Sequence, residues 1–271
     1  MRLTRVPVCD SCWKELPEQS GMLCAVCGEA LGVRGFGDAV SGTGNTFCRP
    51  CSVSEPPFDQ AVAHGLYQGN LRTLLHLLKY DGIEPIADRL GSLLAHQVLA
   101  LKDAPRDMVV IPVPLFQGKR RQRGFNQAEA LARSAIKILK MKHPERKLTV
   151  ATGLLKRRRA TESQAGLTPH QRRANMRGAF FVPDPEKIKG ADVLLIDDIY
   201  TTGATARACA LALRQAGAGT VRVATVARAQ RQETVQRQDM IQPPDTPTAT
   251  VPMHEDVAFW DSGFVPAARG V

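Results

Sequence analysis

The chain has 271 residues, 44% of them hydrophobic and 23% charged, which excludes a wholly disordered or fibrous protein and leaves room for one full-sized domain with a small second one. No apolar run approaches the roughly 18 residues that span a bilayer, and the first residues, MRLTRVPVCDSCW, carry no secretory h-region, so a soluble, cytoplasmic protein is expected. The net charge of +10 is local: residues 106–190 hold 20 Lys and Arg against 6 Asp and Glu, which suits a polyanionic partner or a solvated basic surface.

Six of the seven cysteines form three CxxC pairs within the first 51 residues: Cys9/Cys12, Cys24/Cys27 and Cys48/Cys51. A two-residue gap lets both thiolates of a pair face one ion, and two pairs complete the tetrahedron that Zn²⁺ takes with four sulfurs. Disulfides fit poorly, since nothing suggests secretion, and a redox CxxC belongs in a thioredoxin-like context. Gly28 directly after Cys27 suits a tight zinc knuckle, and Cys48/Cys51 is its natural partner across the Gly-rich stretch 32–46. Cys24, Cys27, Cys48 and Cys51 are therefore the expected ligands of a structural Zn²⁺. Cys9/Cys12 reads as half of a second ribbon that donates to the same region, stays reduced, or is a remnant. Four Cys leave no open position, so no catalysis is expected there.

Ser52–Phe58 reads as a linker, after which Leu71, Leu74, Leu75 and Leu78 recur at helical spacing and predict a helix over 70–80. A second helix is expected over 86–101, a buried strand at Asp107–Val113, and a helix over 126–142 with Asn126 as N-cap. Residues 150–175 read as a long loop ending in a helix start, where Thr168 is N-cap, Pro169 the first helical residue and Gln171 closes a capping box. Strand Val193–Asp197, helix 203–217 and strand Val221–Ala227 form a βαβ unit, so a parallel sheet is expected. The polar, Pro-rich residues 231–271 read as a disordered tail. The domains are thus 1–55, a zinc ribbon, and 56–230, an α/β domain. The ribbon is taken as a separate unit.

The segment VLLIDDIYTTGAT, residues 193–205, carries the chemistry. A buried strand ends in Asp197 and Asp198, and the turn Thr201-Thr202-Gly203-Ala204-Thr205 opens a helix. Ligands of open α/β sheets bind at the carboxyl ends of strands, and a helix N-terminus offers N–H groups to a phosphate. Acids on one side and a phosphate cradle on the other describe a ribose 5-phosphate site. The alternatives are a metal-holding acidic pair and an ordinary capped turn. No Walker A pattern is present. Cys209 and Leu211 read as core, and His76 and His96 as structural.

VLLIDDIYTTGAT resembles the phosphoribosyl pyrophosphate motif of type I phosphoribosyltransferases, and residues 1–228 resemble the ComF family, a zinc ribbon joined to a phosphoribosyltransferase-like domain. Tyr67-Gln-Gly69, Lys79-Tyr80-Asp-Gly82, Val113-Pro114-Leu115, Arg123-Gly124-Phe125-Asn126-Gln127, Arg157-x-Arg159-x-Thr161-x-x-Gln164 and Arg172-x-x-Asn175 stand in the family's order. The fullest family pattern has four CxxC pairs, one more than here. The resemblance implies that Asp197 and Asp198 bind the ribose hydroxyls, through Mg²⁺ or directly. It implies that Thr201, Thr202, Gly203, Ala204 and Thr205 hold the 5-phosphate, and that Arg123, Gly124 and Asn126 meet the pyrophosphate. A mobile loop would bring Arg157 and Arg159 to the departing pyrophosphate. Two functions follow. One is phosphoribosyl transfer from phosphoribosyl pyrophosphate, or a related sugar phosphate, to an unknown acceptor. The other is non-catalytic handling of single-stranded DNA with the DNA-uptake machinery of natural transformation (competence), where Phe125 and Tyr200 would be the candidates for base stacking.

Overall fold

The computed structural model describes residues 8–31, 46–159 and 168–230. The expected tail, the Gly-rich stretch, and Thr161 and Gln164 of the loop motif lie largely or wholly outside these.

Five parallel strands make the sheet: β1 (Gln60–Leu66), β2 (Asp107–Pro112), β3 (Lys147–Val150), β6 (Val193–Tyr200) and β7 (Val221–Arg228), in the order β1-β7-β6-β2-β3. Between β3 and β6 a two-stranded antiparallel ladder joins β4 (Lys156–Arg157) to β5 (Phe180–Phe181). Along β6, Leu194 and Ile196 pack into one core and Val193 and Leu195 into another on the opposite face. Burial on both faces explains the unbroken apolar run. The first face carries helices α3 (Gly69–Tyr80), α4 (Ile86–Leu99) and α6 (Gln127–Lys142). The second is covered by α8 (Ala204–Gln215), β5 and Met176 at the end of α7 (Pro169–Met176).

The helices follow the sequence closely. Leu71, Leu74, Leu75 and Leu78 are all buried on α3. Asn126 caps α6, its side chain accepting from the Ala128 N–H. Thr168 and Gln171 form the capping box of α7, with Pro at its start.

Three readings need correction. Strand β6 does not end at the acidic pair but runs on to Tyr200, because β7 supplies parallel partners as far as Arg228. Leu211 is 47% exposed rather than core. The cysteine segment is also not a separate unit. Two further short helices lie in this region, α1 (Asp10–Lys14) and α2 (Arg49–Val53). Gln19 donates to the His64 carbonyl, Leu66 to Pro17 and Ala61 to Val26, so the segment lines the otherwise open edge of β1.

Candidate functional site

The sheet's crossovers reverse between β2 and β6. From β2 the chain crosses by α6 to β3 on one side, and from β6 by α8 to β7 on the other. Ligands of open α/β sheets sit outside the carboxyl ends of strands at such a switch point. Here the ends of β2 and β6 deliver the Val113–Asn126 segment and the acidic pair with its turn.

Because β6 continues through the pair, alternation sends the two carboxylates to different faces. Asp198 turns to α3, where Lys79 Nζ lies 2.7 Å from its Oδ2. Asp197 turns to the α8 side. It lines a crevice of about 10 Å³ with Thr201, Gly203 and Thr205, room for no more than a water, so a larger ligand must lie on the open side of the turn. The Asp197 carboxyl accepts the Asp198 N–H at 2.9 Å. Burial, then the neighbouring Asp198 charge, raise its pKa from the ordinary 3.8 to about 8. A folded-state value above the unfolded one gives stability that is complete in acid and lost as pH climbs through about 8. Asp197→Asn, neutral throughout, should therefore lose less stability than wild type between about pH 4 and 8 in urea unfolding; parallel pH profiles would refute this.

The turn after β6 is shaped by Gly203, which caps α8 with φ 75°. A Gly cap brings no side chain to the first turn of α8, and that turn has no acidic residue. Its N–H groups and positive dipole end therefore meet neither a capping side chain nor a carboxylate of the first turn. The Thr202 hydroxyl oxygen is buried with no hydrogen-bond partner among the described residues.

Opposite the acids stands a group of cations. Helix α5 (Gln117–Arg123) ends at Gly124, whose φ of 79° makes the left-handed C-cap. Arg123 donates to Gln127 Oε1 at 3.0 Å and stacks over Tyr80. Partial burial, then the charges of Arg157, Arg123 and Lys79, lower the Lys119 pKa. Arg157 lies over Phe180 and feels the Asp197 charge. Arg159 is placed differently: it donates to the carbonyls of Asn175 and Arg177, tying the base of the loop to α7. Asn126 is likewise occupied, its Oδ1 capping α6 and its Nδ2 donating to the Val113 carbonyl. Lys79 and Lys119 are not among the site residues that the sequence motifs indicate. Lys79 had a signal, being four residues beyond Leu75 on a buried stripe.

The sulfurs of Cys24, Cys27, Cys48 and Cys51 lie within 4.8 Å of one another, and all four residues are buried. Tetrahedral Zn²⁺ at about 2.3 Å from each sulfur needs S–S separations of about 3.8 Å, so the cluster fits a zinc ion. The Gly28 N–H returns to the Cys24 carbonyl, closing the knuckle, with φ at 69°. Cys9 and Cys12 pair apart at 3.3 Å near the surface. A hydrogen bond from Ser11, then the Cys12 backbone, bring Cys9 down to about 7.

The cysteine cluster meets the turn through one buried arginine. Arg228, 2% exposed, donates to the Cys27 carbonyl, to Cys27 Sγ at 3.4 Å and to the Glu29 carboxylate. Its guanidinium lies 4.3 Å from the centre of the Tyr200 ring. Tyr200 is buried, so it offers no face for base stacking, whereas Phe125 is half-buried.

A parallel sheet with this switch point and this turn defines a phosphoribosyltransferase-type domain, and the family model of the phosphoribosyl transferase domain matches residues 122–257, half of the chain. The match reaches beyond residue 230 into the stretch read as a tail. Among curated relatives, DNA utilization protein YhgH of Escherichia coli is 32% identical over 179 residues, covering 65% of this chain and 75% of that protein. Competence protein F of Haemophilus influenzae is 28% identical over 236 residues, 84% of this chain and 93% of that protein. Competence protein ComFC of Bacillus subtilis is 24% identical over 216 residues, 78% and 79% of the two chains. The chain belongs to the ComF family. No helix among the described residues is long and apolar enough to cross a membrane.

Proposed function

We propose that the chain binds phosphoribosyl pyrophosphate, or a closely related 5-phosphorylated ribose, and transfers its phosphoribosyl group to an acceptor. The observation that carries this is the turn 201–205: a Gly-capped helix end with a buried Thr202 hydroxyl that has no partner among the described residues, next to two carboxylates at the switch point. The 5-phosphate takes the N–H groups of the turn and the Thr202 hydroxyl. The ribose hydroxyls donate to Asp197 and Asp198. Lys119, Arg123 and Arg157 meet the pyrophosphate, whose Mg²⁺ enters with the ligand. An acceptor's lone pair forms a bond to C1 as the C1–O bond breaks, and the pyrophosphate leaves with that electron pair among cations that stabilise it. Calorimetric titration tests this. Wild type should bind both ribose 5-phosphate and Mg²⁺–phosphoribosyl pyrophosphate. Thr202→Val should weaken both, by about 10-fold for one lost charged hydrogen bond. No binding of either at millimolar concentration would overturn the reading.

A second reading, single-stranded DNA binding, is favoured by the exposed Arg120 and Arg121 on α5 and by Arg158, exposed over Phe181. It also agrees with the DNA-utilization and competence names of the relatives. Backbone contacts release counterions, so log K should fall with log[salt] by about 0.7 per neutralised phosphate, and Arg121→Ala and Arg158→Ala should each flatten that slope. Binding that ignores salt would refute it.

A further inference from the structure

Lys79 lies in the last turn of a helix whose leucines at 71, 74, 75 and 78 are in the core, so its stem runs along apolar surface and its ammonium reaches a polar partner. That ammonium is 2.7 Å from Asp198, with side-chain exposures of 17% and 12%. Burial opposes its charge, but the Asp198 carboxylate beside it outweighs burial and raises the Lys79 pKa. The chain positions 79 and 198 come from opposite ends of the domain, so the pair is made by the fold rather than by local sequence. Arg157, which also feels Asp197, adds a second positive charge nearby.

A divalent ion finds little here. Mg²⁺ takes oxygen ligands in near-ideal octahedral geometry and needs carboxylates that are ionised and open. One Asp198 oxygen is already taken by an ammonium, and the Asp197 carboxyl favours its proton up to about 8. The acidic pair as it stands does not fit a resident metal.

We infer that the Lys79 ammonium is the resident cation of the Asp197–Asp198 pair, standing in the place of a divalent metal and keeping Asp198 aimed for vicinal hydroxyls. Lys79 is a positioning residue: it acts through Asp198. The part that concerns hydroxyls rests on the sugar-phosphate reading, whereas the part that concerns metal does not.

Mn²⁺ titration of the full chain followed by electron paramagnetic resonance reads the metal part, since a thiolate cluster is a poor site for Mn²⁺. Wild type should bind Mn²⁺ no more tightly than millimolar. Lys79→Met should bind it at least about 10-fold more tightly, because one positive charge within 4 Å is removed, and Lys79→Arg should exclude it as wild type does. Ribose 5-phosphate titrated calorimetrically without divalent ions reads the other part. Wild-type affinity should be the same with and without Mg²⁺, while Lys79→Met should lose about 10-fold and recover it when Mg²⁺ is added. Equal Mn²⁺ affinity in wild type and Lys79→Met overturns the inference. So does micromolar Mn²⁺ binding by wild type, which decides the matter even if Lys79→Met does not fold. If the Mn²⁺ difference appears but neither protein binds ribose 5-phosphate, the resident cation stands and the sugar-phosphate reading fails.

Discussion

Gly203→Val is expected to reduce ribose 5-phosphate binding by 100-fold or more, roughly the loss of two charge-assisted hydrogen bonds. Two independent features make this position intolerant. Its φ of 75° is left-handed, where a β-branched residue is strained. A Cβ there would also collide with the Tyr200 hydroxyl beneath the turn. Tyr200 cannot yield cheaply, because its ring is held edge-on by Phe58 and face-on by Arg228. The turn must therefore open, and the N–H groups at the start of α8 lose their common focus. The parallel sheet is built from other residues, so far-ultraviolet circular dichroism should stay near wild type while calorimetric binding disappears. Wild-type affinity in a folded Gly203→Val protein would remove the turn from the binding site.

Most of this architecture could be read from residue order because its elements carry strong local signals. The α3 leucines, the VLLID run and the Thr168–Gln171 box each encode structure within about ten residues. The missed elements lack such signals. Strand β1 alternates correctly but buries Ala61 and Ala63, too small to give a clear hydrophobic period. Strand β3 spans only four residues, and β4 and β5 two each. The end of β6 is not legible locally, because the aspartates read as a strand terminus while pairing with β7, not residue preference, carries the strand onward. At the site, the turn and the acidic pair are contiguous and were visible. The cations Lys79 and Lys119 come from α3 and α5, and only the fold sets Lys79 against Asp198. Arg159 and Asn126 show the converse: the motif named them, and the structure has them holding backbone.

Arg228→Met should cost about 3–5 kcal/mol of stability, because it removes the cation from a buried ion pair and leaves the Glu29 carboxylate behind. For a chain of this size that corresponds to roughly 6–20 °C in melting temperature. The lesion should also reach the metal. Arg228 donates to Cys27 Sγ at 3.4 Å and to the Cys27 carbonyl, so it steadies one ligand through both sulfur and backbone. Such outer partners of metal ligands typically contribute 10- to 100-fold in affinity. Wild type and Cys9→Ser should each carry about one Zn²⁺ per chain, Cys24→Ser none, and Arg228→Met should release its zinc to a chelator faster than wild type. Arg228 also stacks on Tyr200, which underlies Gly203, so the same change should weaken ribose 5-phosphate binding although position 228 lies outside the turn. Adding Glu29→Gln to Arg228→Met removes the stranded charge and should restore part of the stability but not the zinc retention, since the contact to sulfur is still missing. If Arg228→Met melts with wild type, holds zinc as long and binds ribose 5-phosphate as well, the buried pair only fills space, and the cysteine cluster and the turn 201–205 are independent.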